Sequence, residues 1–189
     1  SETNEQVLYE DEKISISNII LNHTIKCSGF IFKEKKSKRK IIKDIIERYN
    51  IPFDKYNGIK EGADWIADSG EIIKNNEITV ESTPAHSYAF CTDTIYNEAL
   101  IEKIKGIDLL YHEATFKKDL ADRAKETGHS TTYEAATIAK KSAVKNLLIG
   151  HFSQRHKNLD ELLIEAKDTF KNTLLAESGL VLDFNKLPS

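Results

Sequence analysis

Six side chains carry the chemistry that the sequence offers: His23, Asp93, His112, Glu113, His129 and His151. His23, Asp93, the His112-Glu113 pair and His151 each follow an apolar stretch that reads as a strand, and His129 lies just ahead of a helix start. Strand ends are where open α/β sheets place reactive groups, because the sheet fixes the backbone while the loop leaves the side chain accessible. Imidazole and carboxylate together suit zinc or another borderline divalent ion, with neutral imidazole as ligand and a carboxylate able to bridge two ions. The separations, 70 residues from His23 to Asp93 and 58 from Asp93 to His151, match no local metal motif. Taken singly, each histidine reads equally as an ordinary surface or hydrogen-bonded residue.

The elements that must position these groups follow from hydrophobic period and capping signals. Residues 13–21 read as a strand ending before His23, and Gly29-Phe30-Ile31-Phe32 as a second. Ile41, Ile42, Ile45, Ile46 and Tyr49 define one face of an amphipathic helix that Pro52 ends. Short strands are expected at Trp65-Ile66 and Glu71-Ile73 around the Asp68-Ser69-Gly70 turn, then at Ile78–Val80 and Ser87–Cys91. A helix from about Asn97 to Lys105 ends at Gly106 and is followed by the strand Ile107–Tyr111. Thr131 and Glu134 form a capping box that opens a helix through Ala135, Ala136, Ile138 and Ala139. Leu147-Leu148-Ile149 is the next strand, and Asn158 caps a helix bearing Leu159, Leu162, Leu163, Ala166 and Phe170. Strands alternating with helices predict a layered α/β architecture.

With 189 residues, the chain has the length of one ordinary domain with a substantial core. Apolar residues make up 40% and charged residues 30%, and no apolar run approaches the ~18 residues of a membrane span, which excludes disordered and membrane-spanning classes. Two cysteines, Cys27 and Cys91, and no secretory-type opening lead to the expectation of a cytoplasmic protein. Net charge is −3, yet Lys33–Lys40 carries +5 and the rest of the chain −8. Concentrated positive charge on an acidic body fits phosphate attraction as well as a solvated loop. The chain contains no methionine and opens on Ser1, leading to the expectation of a piece excised from a longer protein.

Taken jointly, five segments resemble ribonuclease Z, the tRNA 3′ endonuclease family of the metallo-β-lactamase superfamily. They are Asn22-His23-Thr24, Phe90-Cys91-Thr92-Asp93-Thr94, Tyr111-His112-Glu113-Ala114-Thr115-Phe116, Gly128-His129-Ser130-Thr131 and Ile149-Gly150-His151-Phe152-Ser153-Gln154-Arg155. The resemblance implies an α/β fold, the C-terminal half of a four-layer αβ/βα sandwich over residues 1–189, with an inserted flexible arm at 33–65. By the same resemblance, His23 and His151 are terminal ligands of two zinc ions and Asp93 bridges them. His129 contacts the scissile phosphate and protonates the leaving oxygen, Glu113 polarises it, and His112 is structural. Tyr56–Gly62 is similar to the tyrosine and glycine-lysine pattern of the family's tRNA-gripping arm, which makes Lys35, Lys36, Lys38, Arg39 and Lys40 candidates for tRNA phosphate contacts. The implied substrate is precursor tRNA, and the implied whole protein is a homodimer.

The chain also departs from the family. Nothing in it resembles the HxHxDH signature that supplies three further ligands and the acidic group expected to orient the nucleophile, so three of seven expected metal-site groups are present and the 189 residues alone are expected to be inactive. Thr92 stands where glycine is common and His156 where an aromatic residue is usual. Three alternatives remain at this stage: another metallo-β-lactamase-fold hydrolase acting on a small phosphodiester or ester, a noncatalytic tRNA-binding half, and a structural fragment that self-associates through uncovered apolar surface.

Overall fold

A computed structural model describes residues 5–188. The chain divides into two compact units, one of residues 1–34 with 86–189 and one of residues 35–85. The first unit opens with three antiparallel strands, β1 (Val7–Glu10), β2 (Ile14–Leu21) and β3 (Cys27–Glu34). The β2–β3 register places Leu21 opposite Cys27, so that the connecting turn carries His23. β1 was not expected, since Val7, Leu8 and Tyr9 are all exposed and lack the alternation of a half-buried strand.

The second unit holds β4 (Lys40–Ile41), α1 (Lys43–Arg48), α2 (Tyr56–Lys60), β5 (Trp65–Ile66), β6 (Ile72–Ile73), α3 (Asn75–Ile78) and β7 (Thr79–Val80). β4 pairs with β7 and β5 with β6, both antiparallel. Its own small core is Ile51, Ile59, Ile73 and Ile78, against which Ile41, Ile45, Tyr49 and Trp65 pack. The amphipathic face is therefore partly covered within its unit through Ile41, Ile45 and Tyr49. The helix over Ile41–Tyr49 is shorter than the period suggested, because Ile41 joins a strand and Ile42 sits at the extended N-cap of α1. Likewise Ile78 closes α3 and only Thr79-Val80 is strand.

Back in the first unit come β8 (Ser87–Cys91), α4 (Leu100–Lys103), β9 (Leu109–Glu113), α5 (Ala121–Thr127), α6 (Thr132–Lys141), β10 (Asn146–Gly150), α7 (Asp160–Thr169) and β11 (Thr173–Leu175). The seven-stranded sheet runs β1-β2-β3-β8-β9-β10-β11, antiparallel through β8 and parallel from β8 onward. Parallel neighbours need crossovers, and α4, α5, α6 and α7 supply them. The expected helix over 97–105 shrinks to α4, and the strand expected at 107–111 is displaced to Leu109–Glu113, so His112 and Glu113 are strand residues. The capping box forms as read: Thr131 Oγ1 accepts from the Glu134 N–H and Glu134 reaches back to the Thr131 N–H at 2.8 Å. Asn158 Oδ1 accepts from the Asp160 N–H at 2.9 Å at the entry to α7.

Strand alternation sorts the sheet's two faces. Ala89, Cys91, Leu110, Leu147 and Ile149 meet Ala135, Ala136, Ile138 and Ala139 of α6 in the main core. The small α6 residues let helix and sheet approach closely, and each large aliphatic side chain buried there contributes about 1.5–3 kcal/mol. On the opposite side of β8, Tyr88 and Phe90 stack on Phe32 and Tyr111, with centroids 5.8 and 4.7 Å apart.

Candidate metal centre

The parallel half of the sheet brings the reactive groups to one edge. Asp93 follows β8 by two residues, Glu113 ends β9, and His151 follows β10 directly. Asp93 and His151 both take left-handed backbone conformations, φ 51° and 61°. Such positive φ in a non-glycine residue costs of order 1 kcal/mol or more and recurs at functional sites, where surrounding structure holds the strain. One ligand-capable atom from each of Asp93, Glu113, His129 and His151 lies within 4.8 Å of the others. The His23 ring is centred 5.0 Å from that of His129, which in turn is 5.1 Å from that of His151.

Hydrogen bonds assign the imidazole tautomers. His23 Nδ1 lies 2.7 Å from the Gly128 carbonyl, and His129 Nδ1 lies 2.9 Å from Glu113 Oε1. Carbonyl and carboxylate oxygens only accept, so both Nδ1 atoms carry the proton. At His151, Nδ1 faces Thr115 Oγ1 at 2.9 Å, while that hydroxyl lies 2.6 Å from Glu113 Oε2. The His151 carbonyl also lies 2.9 Å from that hydroxyl, but the closer, charged carboxylate takes its single proton, and Thr115 then accepts from His151 Nδ1. In the neutral form each of the three histidines then carries its electron pair on Nε2, the form that ligates a metal. His151 Nε2 faces Asp93 Oδ1 at 3.3 Å. With His151 protonated this contact is an ion pair; with it neutral, the donor set of imidazole and carboxylate fits a divalent ion.

Glu113 has no capacity left for that role. It is fully buried and its oxygens accept from Thr94 N–H at 2.7 Å, Ser130 N–H at 3.1 Å, the Thr115 hydroxyl and His129 Nδ1. The carboxylate is a buried anion saturated by donors, and it orients His129 instead of coordinating. Thr94, Thr115 and Ser130, which build this cradle, were not singled out from the sequence; the only available signal was their place within the quoted motifs. Gly128 shapes the other wall: its φ is +81°, and a Cβ there would sit 2.6 Å from His23 Nδ1.

His112 points away from this cluster. Its Nδ1 donates to the Glu113 carbonyl at 2.7 Å, its Nε2 has no partner, and complete burial holds its pKa below the ordinary histidine value. Both cysteines are free thiols, and burial pushes that of Cys91 up to about 12. Neither offers a thiolate at neutral pH.

The basic residues lie in the second unit. Lys38 bonds Glu61 and Asn57, both at 2.7 Å, and Arg39 bonds Glu81 and Thr79, both at 2.6 Å. Lys36 comes within 4.0 Å of Glu81, and Lys35 and Lys40 are exposed. Residues 35–85 hold ten basic and nine acidic side chains, so the positive charge is a local cluster on a nearly neutral unit.

The sheet with helices crossing from β8 to β11, and a histidine-aspartate cluster at the strand ends, define the class of fold: the chain has the metallo-β-lactamase fold. Within that class its sequence is similar to ribonuclease Z. It is 45% identical over 185 residues to the ribonuclease Z of Bacteroides thetaiotaomicron, covering 97% of this chain and 58% of that protein. The chain thus spans less than two thirds of the length of the curated relatives it matches. No family model matches the sequence. Among solved structures, the metallo-β-lactamase fold protein YhfI from Bacillus subtilis superposes with a TM-score of 0.60 at 20% identity, over 93% of this chain and 51% of that one. The short form of human tRNase Z superposes with a TM-score of 0.57 at 23% identity, over 96% and 47%. These structural likenesses are likenesses of fold. No helix among the described residues is long and apolar enough to cross a membrane.

Proposed function

We propose that the chain is part of a zinc-dependent endoribonuclease that removes the 3′ trailer from precursor tRNA by phosphodiester hydrolysis, leaving a 3′ hydroxyl. The observation that carries the reading is the convergence of Asp93, Glu113, His129 and His151 within 4.8 Å at the strand ends. The 45% identity to a ribonuclease Z narrows the substrate from phosphodiesters in general to precursor tRNA. In this reading Nε2 of His23 and of His151 and the Asp93 carboxylate are the groups of this chain that would hold the zinc ions. Bound there, the ions supply positive charge to polarise the phosphoryl group and lower the pKa of water.

His129 takes up a proton from solvent at Nε2 and offers that N–H to the phosphodiester. Its Nδ1 proton is anchored on Glu113, which holds the ring in one orientation and stabilises the imidazolium that delivers a proton to the leaving oxygen. The four donors around Glu113 keep that carboxylate in place. The tRNA-gripping arm expected at 33–65 falls mostly within the unit of residues 35–85, with Lys35, Lys36, Lys38, Arg39 and Lys40 meeting backbone phosphates. The whole protein acts as a cytoplasmic homodimer, and these 189 residues alone, with three ligands, are inactive.

The test uses the full-length protein. Metal-dependent release of the trailer from precursor tRNA, with turnover far above that of bis(p-nitrophenyl) phosphate, is expected. Equal or greater turnover of the small diester would assign the site to another hydrolase of the same fold.

A further inference from the structure

Two neighbouring cavities of the first unit lie near the cluster, and one of them reaches His129. One, of about 320 Å³, is lined by His129, Tyr96, Lys125, Asp122 and Glu134; the other, of about 510 Å³, by Tyr96, Glu134, Tyr133, Lys118 and Lys141. Tyr96, Ala121 and Glu134 line both, so the two adjoin in a groove of which the smaller cavity reaches His129. Its size is that of small-ligand sites.

Two tyrosines dominate the groove. The Tyr96 hydroxyl donates to Glu98 at 2.7 Å and accepts from Lys141 at 3.2 Å, which pins the ring. Tyr133, in the first turn of α6, is 39% exposed, and the Lys118 ammonium lies 4.1 Å from its ring centroid. Lys118 and Lys125 form no ion pair among the described residues, whereas their neighbours Lys117 and Lys141 are paired with Glu161 and Glu98. Of the two lining acids, Glu134 is held by the Thr131 N–H and hydroxyl, both at 2.8 Å, which leaves Asp122 as the acid not engaged by a cap. Flat aromatic faces that tolerate any base, next to cations without acidic partners, are the chemistry that holds single-stranded nucleic acid.

We propose that this groove seats an unpaired nucleotide flanking the scissile phosphodiester, its base against Tyr96 and Tyr133 and its phosphate on Lys118 and Lys125. The proposal rests on the phosphodiesterase reading of the adjoining cluster. It assigns to the groove a contribution to substrate binding that is separate from the metal ligands, and that precedes or follows the cut by one nucleotide.

The experiment compares full-length wild-type protein with Tyr96→Ala and Tyr133→Ala on precursor tRNAs carrying an abasic residue immediately 5′ or immediately 3′ of the cut. The wild type is expected to lose roughly 5- to 150-fold in kcat/KM on one of the two abasic substrates, mostly through KM. That position identifies the nucleotide. The alanine variants should cut base-bearing and abasic substrates at the same reduced rate, while Tyr133→Phe keeps the preference. Variants that retain the wild-type preference, or a wild type with none at either position, overturn the proposal. A second readout is independent of cleavage: anisotropy of a labelled single-stranded RNA tetranucleotide should show binding that weakens at least 5-fold in the alanine variants. Binding unchanged by both substitutions overturns the groove. Binding lost in the variants by a protein that cuts no precursor tRNA overturns the nuclease reading alone.

Discussion

Thr115→Val offers a quantitative test of the tautomer assignment, because the substitution preserves shape and removes one hydroxyl. That hydroxyl donates to Glu113 Oε2 at 2.6 Å and accepts from His151 Nδ1 at 2.9 Å. Without it, the buried Glu113 carboxylate loses one of four donors. A hydrogen bond to a charged group contributes about 1.5–3 kcal/mol, and Thr115 itself is 6% exposed, so water does not replace the bond. A loss of about 2 kcal/mol corresponds to a fall in Tm of about 4–8 °C for a domain of this size. His151 also loses the acceptor that keeps its proton on Nδ1, so Nε2 is no longer reserved for a metal. Removing such a partner typically weakens metal affinity by about 10- to 100-fold. Thr115→Ser restores the hydroxyl and should recover most of both effects. The assay is thermal unfolding together with competition for zinc against a chelator of known affinity, in the full-length protein. If Thr115→Val unfolds at the wild-type temperature and holds zinc as tightly, the hydroxyl does not bridge Glu113 and His151 and the argument fails.

Other substitutions test separate parts of the account. Gly128→Ala places a methyl 2.6 Å from His23 Nδ1 at a backbone φ of +81°, and should lower stability by at least ~1 kcal/mol and weaken zinc binding; normal zinc affinity would remove His23 from the site. Burial holds the His112 pKa below its ordinary 6.5, so the unfolded chain takes up a proton first. Its contribution to stability should be complete above about pH 6.5 and decline as pH falls below that value, by up to ~1.4 kcal/mol per pH unit. Denaturant titrations from pH 7.5 to 5 should show that limb, and His112→Phe should flatten it. Lys36→Ala and Lys40→Ala should weaken tRNA binding and reduce the salt dependence by roughly one unit of log–log slope for each phosphate that is no longer neutralised. Arg39→Ala should instead loosen the 35–85 unit, since that guanidinium ties Thr79 and Glu81, and limited proteolysis would show it.

Those parts of the fold with a strong local signal were legible in the sequence. The Thr131–Glu134 capping box and the all-apolar 147–149 strand are satisfied by nearest neighbours and formed where expected. The 97–105 segment failed because its few apolar residues, Leu100 and Ile104, serve the sheet's core through a single turn of helix. β11 and α5 carry no period of their own and exist because the parallel sheet needs an edge strand and a crossover. At the site, residue types at strand ends pointed to His23, Asp93, His112, Glu113 and His151, and His129 was read ahead of a helix start; the fold gathers Asp93, Glu113, His129 and His151 within 4.8 Å, with His23 beside His129 and His112 outside the group. Thr94, Thr115 and Ser130 were illegible because a threonine or serine in sequence shows no partner. Their importance appears only when their donors are seen to saturate a buried carboxylate. The pairing of Lys38 and Arg39 with Glu61 and Glu81 was hidden for the same reason, since their partners lie 23 and 42 residues away.

The most direct test of the central claim is cleavage of precursor tRNA by full-length protein carrying Asp93→Ala, beside the wild type, with both product ends mapped. The account predicts that the wild type releases the trailer, leaves a 3′ hydroxyl on the tRNA and requires zinc, and that Asp93→Ala is at least about 100-fold slower, a loss of ~2.7 kcal/mol in transition-state stabilisation. Cleavage by Asp93→Ala at the wild-type rate would contradict the assignment of this carboxylate, and with it the metal centre built around it.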